Sequence, residues 1–366
     1  MIPHTHANGS QPWAEFDIHG RMAFRVAANA PTVSILLDMC APFRASGLDR
    51  YDLTITGQHE AMPGASHAEH ELRYTNHGVH LLKSDVQIVV DGDGYRLHGR
   101  RELLTAALPL IDRILVRWAV AMIHAATVAY KGRGIVMAAW GGVGKTSTIA
   151  KMLRHEGTAF MGDDWAFIDG AGQLLGYHKP MFIKPHYRSI YPHLFAAKRK
   201  PLVPRALSKP IAELTTIVHP LVTQYPRVAR FTRRWSPEHL MVTPAVALPG
   251  TGMATAAPLD LVVFVERFDG ARPVLEEHSV DWMVTWLAGN FYAELPRHSR
   301  EVMTALAATG FLPLDRIFQD KRAVLAAGVD GRPAYRLRVP AAWSADHASD
   351  EIVEHLLRLV EPAEAR

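Results

Sequence analysis

The sequence predicts an α/β fold built around a glycine-rich turn between a strand and a helix, with a small strand-rich domain ahead of it. Three observations predict this. The motif AAWGGVGKTS at 138–147 follows the β-forming run Ile135, Val136, Met137 and precedes a helix-like run over 147–155. The segment LDLVVFVE at 259–266 is almost continuously apolar, the pattern of a buried central strand. Between 13 and 100, short alternating runs are separated by Gly, Pro and Asp, as in a strand-rich domain.

Taken in order, 1–12 reads as a disordered lead and 13–100 as the N-terminal domain, without detectable chemistry. Strands are expected at 22–26, 51–56, 79–82, 86–90 and 95–98, with a helix over 31–40 and a loop over 58–70. The DGDG run at 91–94 is a hairpin turn, and it lacks the further ligands a calcium loop needs. A linking helix covers 101–121, with an apolar stripe from Leu104 to Met122 that Pro109 must kink or interrupt. The core then runs over 122–270 and is completed by 271–366.

Within the core, 122–130 and 135–139 form a hairpin around KGRG. With Gly132 and Arg133 at its tip, Lys131 faces Gly134 and His124 faces Gly141. A slip of one or two residues still leaves His124 at the edge of the glycine-rich loop. A short strand at 159–161 leads to Gly162, Asp163 and Asp164. A second hairpin turns at 169–172, and 177–204 reads as a long functional loop. Helices with serine caps are expected at 279–287 and 299–308, a strand at 334–339 and an amphipathic helix at 349–360.

The glycine-rich stretch is suited to phosphate. Gly141, Gly142 and Gly144 let amides converge on phosphate oxygens without a Cβ in the way, and Val143, Lys145, Thr146 and Ser147 complete the loop and helix start. Lys145 would reach the outer phosphates, and the Thr146 hydroxyl would meet magnesium. Ala139 stands where the usual pattern has its first glycine. Asp163 and Asp164, the latter 18 residues beyond Thr146, form an acid pair at a strand end. One acid could hold a metal or its waters and the other could take a proton. Glu266, at the end of the central strand, is the rival acid.

Composition narrows the classes. The chain has 366 residues, is 48% hydrophobic and 21% charged, and has no apolar run of membrane-spanning length. Its start lacks a secretory pattern and Cys40 is its single cysteine, so a cytoplasmic protein without an intrachain disulfide is expected. A net charge of +4 suits anionic ligands but does not argue for nucleic acid. Basic residues gather at 198–205 and 227–234. The 20 histidines are scattered, without a metal-binding motif.

His124, the hairpin, GGVGKT and the Asp163–Asp164 pair after a glycine together resemble the HPr kinase/phosphorylase family. Its core is shared more distantly with phosphoenolpyruvate carboxykinases and with kinases that tailor small molecules or lasso-type peptides. The resemblance covers about 120–180 well and 255–267 weakly. It implies a kinase that uses ATP and Mg2+, with Lys145 on the phosphates, Thr146 and Asp163 at the metal, Asp164 as base and His124 assisting. That family carries a glutamate motif, E-[IL]-R-G-x-G, after the acid pair. Here 176–185 reads GYHKPMFIKP, which makes HPr an unlike acceptor and leaves the second metal ligand unassigned. The expected acceptor is a small molecule or short peptide, without nucleic acid or membrane as partner, and a homo-oligomer is compatible with this. The competing expectations are a regulatory NTPase that uses Glu266 and, more weakly, a decarboxylating carboxykinase relative.

Overall fold

The computed structural model describes residues 12–27, 33–68, 71–99, 102–195 and 240–361. Helices and strands are mixed in an α/β arrangement, with both parallel and antiparallel pairs in each large sheet. The lead at 1–11 and both basic clusters lie outside the described residues. Two compact units are present, one within Met1–Lys179 and Gly252–Arg366, the other within Pro180–Thr251.

The first unit opens with a nine-stranded sheet. Its strands are β1 (Trp13–Ile18), β2 (Met22–Ala27), β3 (Arg44–Ala45), β4 (Leu53–Thr56), β5 (Ser66–Ala68), β6 (Leu72–Tyr74), β7 (Gly78–Leu81), β8 (Val86–Asp91) and β9 (Gly94–Gly99). Their spatial order is β3-β1-β2-β4-β9-β8-β7-β6-β5. In β1 and β2 every second residue is buried, the period that lays one face on a core. The DGDG turn is as expected, with Asp91 opposite Gly94. Strands β1, β5 and β6 were not expected, and β5 falls within the segment read as loop. Helix α1 spans Ser34–Cys40.

Helix α2 (Leu103–Arg117) is shorter than the expected linker. Trp118 caps it and Ala119 turns left-handed at φ 54°, so residues from Val120 onward leave the helical stripe for a strand. Pro109 lies inside the continuous helix.

The second sheet has ten strands. They are β10 (Val120–Ile123), β11 (Ala125–Tyr130), β12 (Arg133–Ala139), β13 (Thr158–Gly162), β14 (Ala166–Asp169), β15 (Gln173–Leu175), β18 (Gly252–Met253), β19 (Ala256–Phe268), β20 (Val274–Glu277) and β21 (Ala334–Pro340). Strand β19 lies between β12 and β21 and is parallel to both, which accounts for its apolar sequence. The hairpin register is shifted by two residues from the expected one, because Tyr130 rather than Lys131 closes the two-residue tip, pairing with Arg133. Lys131 and Gly132 form the tip with φ of 49° and 78°, the positive angles of a two-residue hairpin turn. The expected strand over 122–130 is also broken at His124 into β10 and β11, which join different partners.

Helices α3 (Lys145–Met152), α6 (Val280–Glu294), α7 (Arg297–Ala308), α8 (Leu314–Val329) and α9 (Ala345–Val360) complete this unit. Ser279 caps α6 as expected, accepting from the Trp282 amide. Ser299 is not a cap: it lies inside α7, buried, with its hydroxyl on the Thr105 carbonyl. Helix α9 starts at Ala345, four residues before the expected start, and Ser344 caps it, accepting from the His347 amide. Among the described residues of the second unit are the pair β16 (Met181–Ile183) and β17 (Leu240–Val242) and the short helices α4 (Pro192–Phe195) and α5 (Pro244–Ala247). Within the described part of the loop expected at 177–204 lie one strand, β16, a 3-10 turn over Pro185–Ser189 and the short helix α4. Among the described residues, no helix is long and apolar enough to cross a membrane.

Candidate active site

The glycine-rich turn joins the end of β12 to the start of α3. Gly142 has φ 81° and Gly144 φ 117°, conformations that L side chains rarely adopt. A Cβ on Gly144 would also press to 3.3 Å from Ser349 Oγ. Val143 and Ser147 are buried beneath the loop. The Gly141 amide donates to Glu294 Oε1 at 2.9 Å, so a carboxylate oxygen already rests on a loop amide. That is the kind of contact a phosphate oxygen makes.

Lys145 is buried, and its ammonium folds back to donate to the carbonyls of Ala139 at 2.6 Å and Trp140 at 3.3 Å. Burial lowers its pKa, while Asp164, Asp163 and Glu294 oppose that shift. One residue on, Thr146 donates its hydroxyl to Asp163 Oδ2 at 2.9 Å. Asp163 Oδ1 is buried and has no hydrogen-bond partner. Burial, then the neighbouring Asp164, push the Asp163 carboxyl up to about 6.

The two acids are set by a tight turn. A Cβ on Gly162 would lie 2.8 Å from the Trp165 carbonyl oxygen, so glycine is required before the pair. Asp164 takes φ 70°, and its carbonyl accepts from the Ala125 amide at 3.1 Å, next to His124. Its Oδ2 lies 3.1 Å from Lys179 Nζ. Burial pushes Asp164 up, but Lys179, His124 and Lys145 outweigh it and hold the carboxyl below its ordinary range. Adjacent carboxylates are thereby driven apart in acidity, the arrangement that separates roles.

His124 sits at the break between β10 and β11. Burial and the charge of Lys145 push its imidazole down to about 4, against the opposing pull of Asp164 and Glu294. Its Nδ1 is buried and unpartnered. His124, Lys145, Asp163 and Asp164 therefore occupy one electrostatic neighbourhood. Glu266 Oε2 accepts from Arg336 Nε at 2.6 Å.

Four residues of this neighbourhood were not picked out in the sequence. Lys179 lies in the segment where the resembled family has its glutamate motif, and it brings a cation instead. Asn290 and Glu294 are four residues apart on α6, hence on one face. Asn290 donates to the Ala139 carbonyl at 3.4 Å, and its buried Oδ1 is unpartnered. The expected end of this helix at 287 hid both. Arg267 donates to the Val143 carbonyl at 3.4 Å from the end of β19. Compared with protein-family models and with curated proteins, the chain matches none.

Proposed function

We propose that this chain is a phosphotransferase that uses ATP and magnesium and acts on an alcohol, either a small metabolite or a serine or threonine of a short peptide. One observation supports the reading above all others. The first helical turn after a glycine-rich loop places a threonine hydroxyl on a buried aspartate whose other oxygen has no partner. A hydroxyl and a carboxylate are hard oxygen donors that suit magnesium. Thr146 and Asp163 would hold it, and when bound it would neutralise charge on the terminal phosphates.

The remaining roles follow from position. The amides of 141–147 would cradle the phosphates. Lys145 would exchange its loop carbonyls for phosphate oxygens. Asp164 would accept the acceptor's hydroxyl proton as the new O–P bond forms and the bond to the ADP leaving group breaks. Lys179 would keep that carboxylate ionised and aimed. His124, neutral near pH 7, would act as a hydrogen-bonding partner rather than as a charge. The rival reading, an NTPase that works through Glu266, is separated from this one by comparing Glu266→Gln with Asp164→Asn.

The test incubates the full chain with γ-labelled ATP and a fractionated cell extract, then identifies the labelled species by mass. Asp164→Asn is expected to lower transfer by about 10² or more while nucleotide affinity stays within about threefold. Lys145→Ala is expected to weaken nucleotide binding itself by about tenfold or more, the loss of hydrogen bonds from a charged group. Wild-type transfer by Asp164→Asn, with loss in Glu266→Gln, would overturn the assignment.

A further inference from the structure

A second cluster lies in the N-terminal sheet, where the sequence showed no chemistry. Residues paired across neighbouring strands share a face. The pairs His67–Arg73, Arg73–His80, His80–Gln87, Gln87–His98 and His98–Thr56 therefore form one polar row across β5, β6, β7, β8, β9 and β4. Above this row runs the segment after β4. It is tied down on both sides of His59: the Glu60 amide donates to Gln87 Oε1 at 2.8 Å, Gln87 Nε2 donates to the Glu60 carbonyl at 3.0 Å, and His98 Nδ1 lies 2.7 Å from the Gln58 carbonyl. Asp85 closes the β7–β8 turn in a left-handed conformation, φ 56°.

These restraints bring three metal-binding side chains together. His59 Nε2 lies 3.4 Å and His80 Nε2 3.6 Å from Asp85 Oδ1. The three ligand atoms all fall within 4.8 Å of one another. Ligands about 2.0–2.1 Å from a tetrahedral zinc stand about 3.4 Å apart, so two of the three spacings are already near those of a filled site. His80 Nε2 is buried without a hydrogen-bond partner. His59 Nε2 also lies 3.2 Å from the Asp85 carbonyl oxygen. Arg96 and His98 engage Glu60, which leaves the Asp85 carboxylate as the acid facing both imidazoles.

We propose that His59, His80 and Asp85 form a binding site for a divalent transition-metal ion of the zinc class. Two imidazoles and one carboxylate suit such an ion and disfavour magnesium and calcium, which take oxygen ligands. Three protein ligands leave at least one coordination position open to water or a small ligand, and the half-buried side chains keep that position reachable. Gln87 and His98 act from behind by fixing the segment that carries His59, as outer partners do in metal sites. The site belongs to the first sheet and is independent of the phosphotransferase reading.

The test titrates the metal-stripped full chain with Co2+, followed by ligand-field absorption, and with Zn2+ against a chromophoric chelator. About one tightly held equivalent per chain is expected, with the intensified visible bands of a low-coordinate cobalt site and a raised unfolding temperature. His80→Ala and Asp85→Asn are each expected to lose at least about tenfold in affinity. His67→Ala, on the same row but outside the cluster, is expected to bind as wild type. Asparagine tolerates the left-handed backbone at 85, so Asp85→Asn decides the matter if His80→Ala fails to fold. Absence of a saturable equivalent, or undiminished binding in Asp85→Asn, overturns the proposal. With 20 histidines in the chain, binding that survives in that variant is adventitious.

Discussion

The sharpest feature at the residue scale is the Asp163–Asp164 pair, whose members meet opposite surroundings. Asp163 is sealed in and hydrogen-bonded by one hydroxyl, whereas Asp164 is matched to a buried ammonium. Lys179 is 3% exposed, so it is a fixed counter-charge rather than a mobile surface lysine. In the phosphotransferase reading, Lys179→Met leaves Asp164 ionisable but unaimed. Steady-state kinetics should then show kcat lower by about tenfold or more with the KM for ATP unchanged, and Lys179→Arg should recover part of the loss. An unchanged kcat would make the pair structural only. The residue types at 124, 145, 146, 163 and 164 could be singled out from spacing, since a strand–turn–helix–strand unit constrains what lies near what. Lys179, Asn290 and Glu294 could not, because their place depends on distant chain returning to the loop.

At the scale of elements, legibility followed periodicity. Strand β19 was readable because it is buried on both faces. The hairpin was readable, but its register was not: the sequence KGRG offers two positions for a two-residue tip, and only the left-handed Lys131 selects between them. Helix α8 was not foreseen, although it carries a strong constraint. Its Lys321, 0% exposed, donates to Asp112 Oδ1 of α2 at 2.6 Å, while Tyr292 of α6 donates to Asp112 Oδ2 at 3.1 Å. Breaking a buried pair strands one charge, so Lys321→Met should destabilise by about 3–5 kcal/mol in denaturant unfolding. Asp112→Leu/Lys321→Met should cost less than that single change. Burial also pushes Lys321 down to about 8, against the pull of Asp112. Between about 8 and the unfolded value near 10.5 the unfolded chain binds more protons, so stability rises with pH. Raising the pH from 8 to 10 should therefore stabilise wild type relative to the double variant, and a flat difference would show that Lys321 keeps its proton.

At the scale of the whole molecule, the first unit holds two buried apolar clusters among the described residues, one within the ten-stranded sheet and its helices and one that reaches from the nine-stranded sheet through α2 to residues of the other. Phe16, Phe24 and Ile88 of the nine-stranded sheet, Leu110, Ile111 and Leu115 of α2, and Phe167, Leu175 and Phe291 beyond it belong to a single buried cluster. Helix α2 is thus packing material for both sheets, which explains why the apolar residues around its Pro109 remain helical and buried. It also makes a strong demand on unfolding. If the cluster around α2 couples the two sheets, strands on either side of α2 should open together. Leu115 is fully buried within that cluster, and Leu115→Ala should lower stability by about 2–5 kcal/mol. Native-state hydrogen exchange should report the same loss for amides of β2 and of β14. If β2 loses protection while β14 keeps its own, the two sheets unfold separately and α2 is only a tether between them.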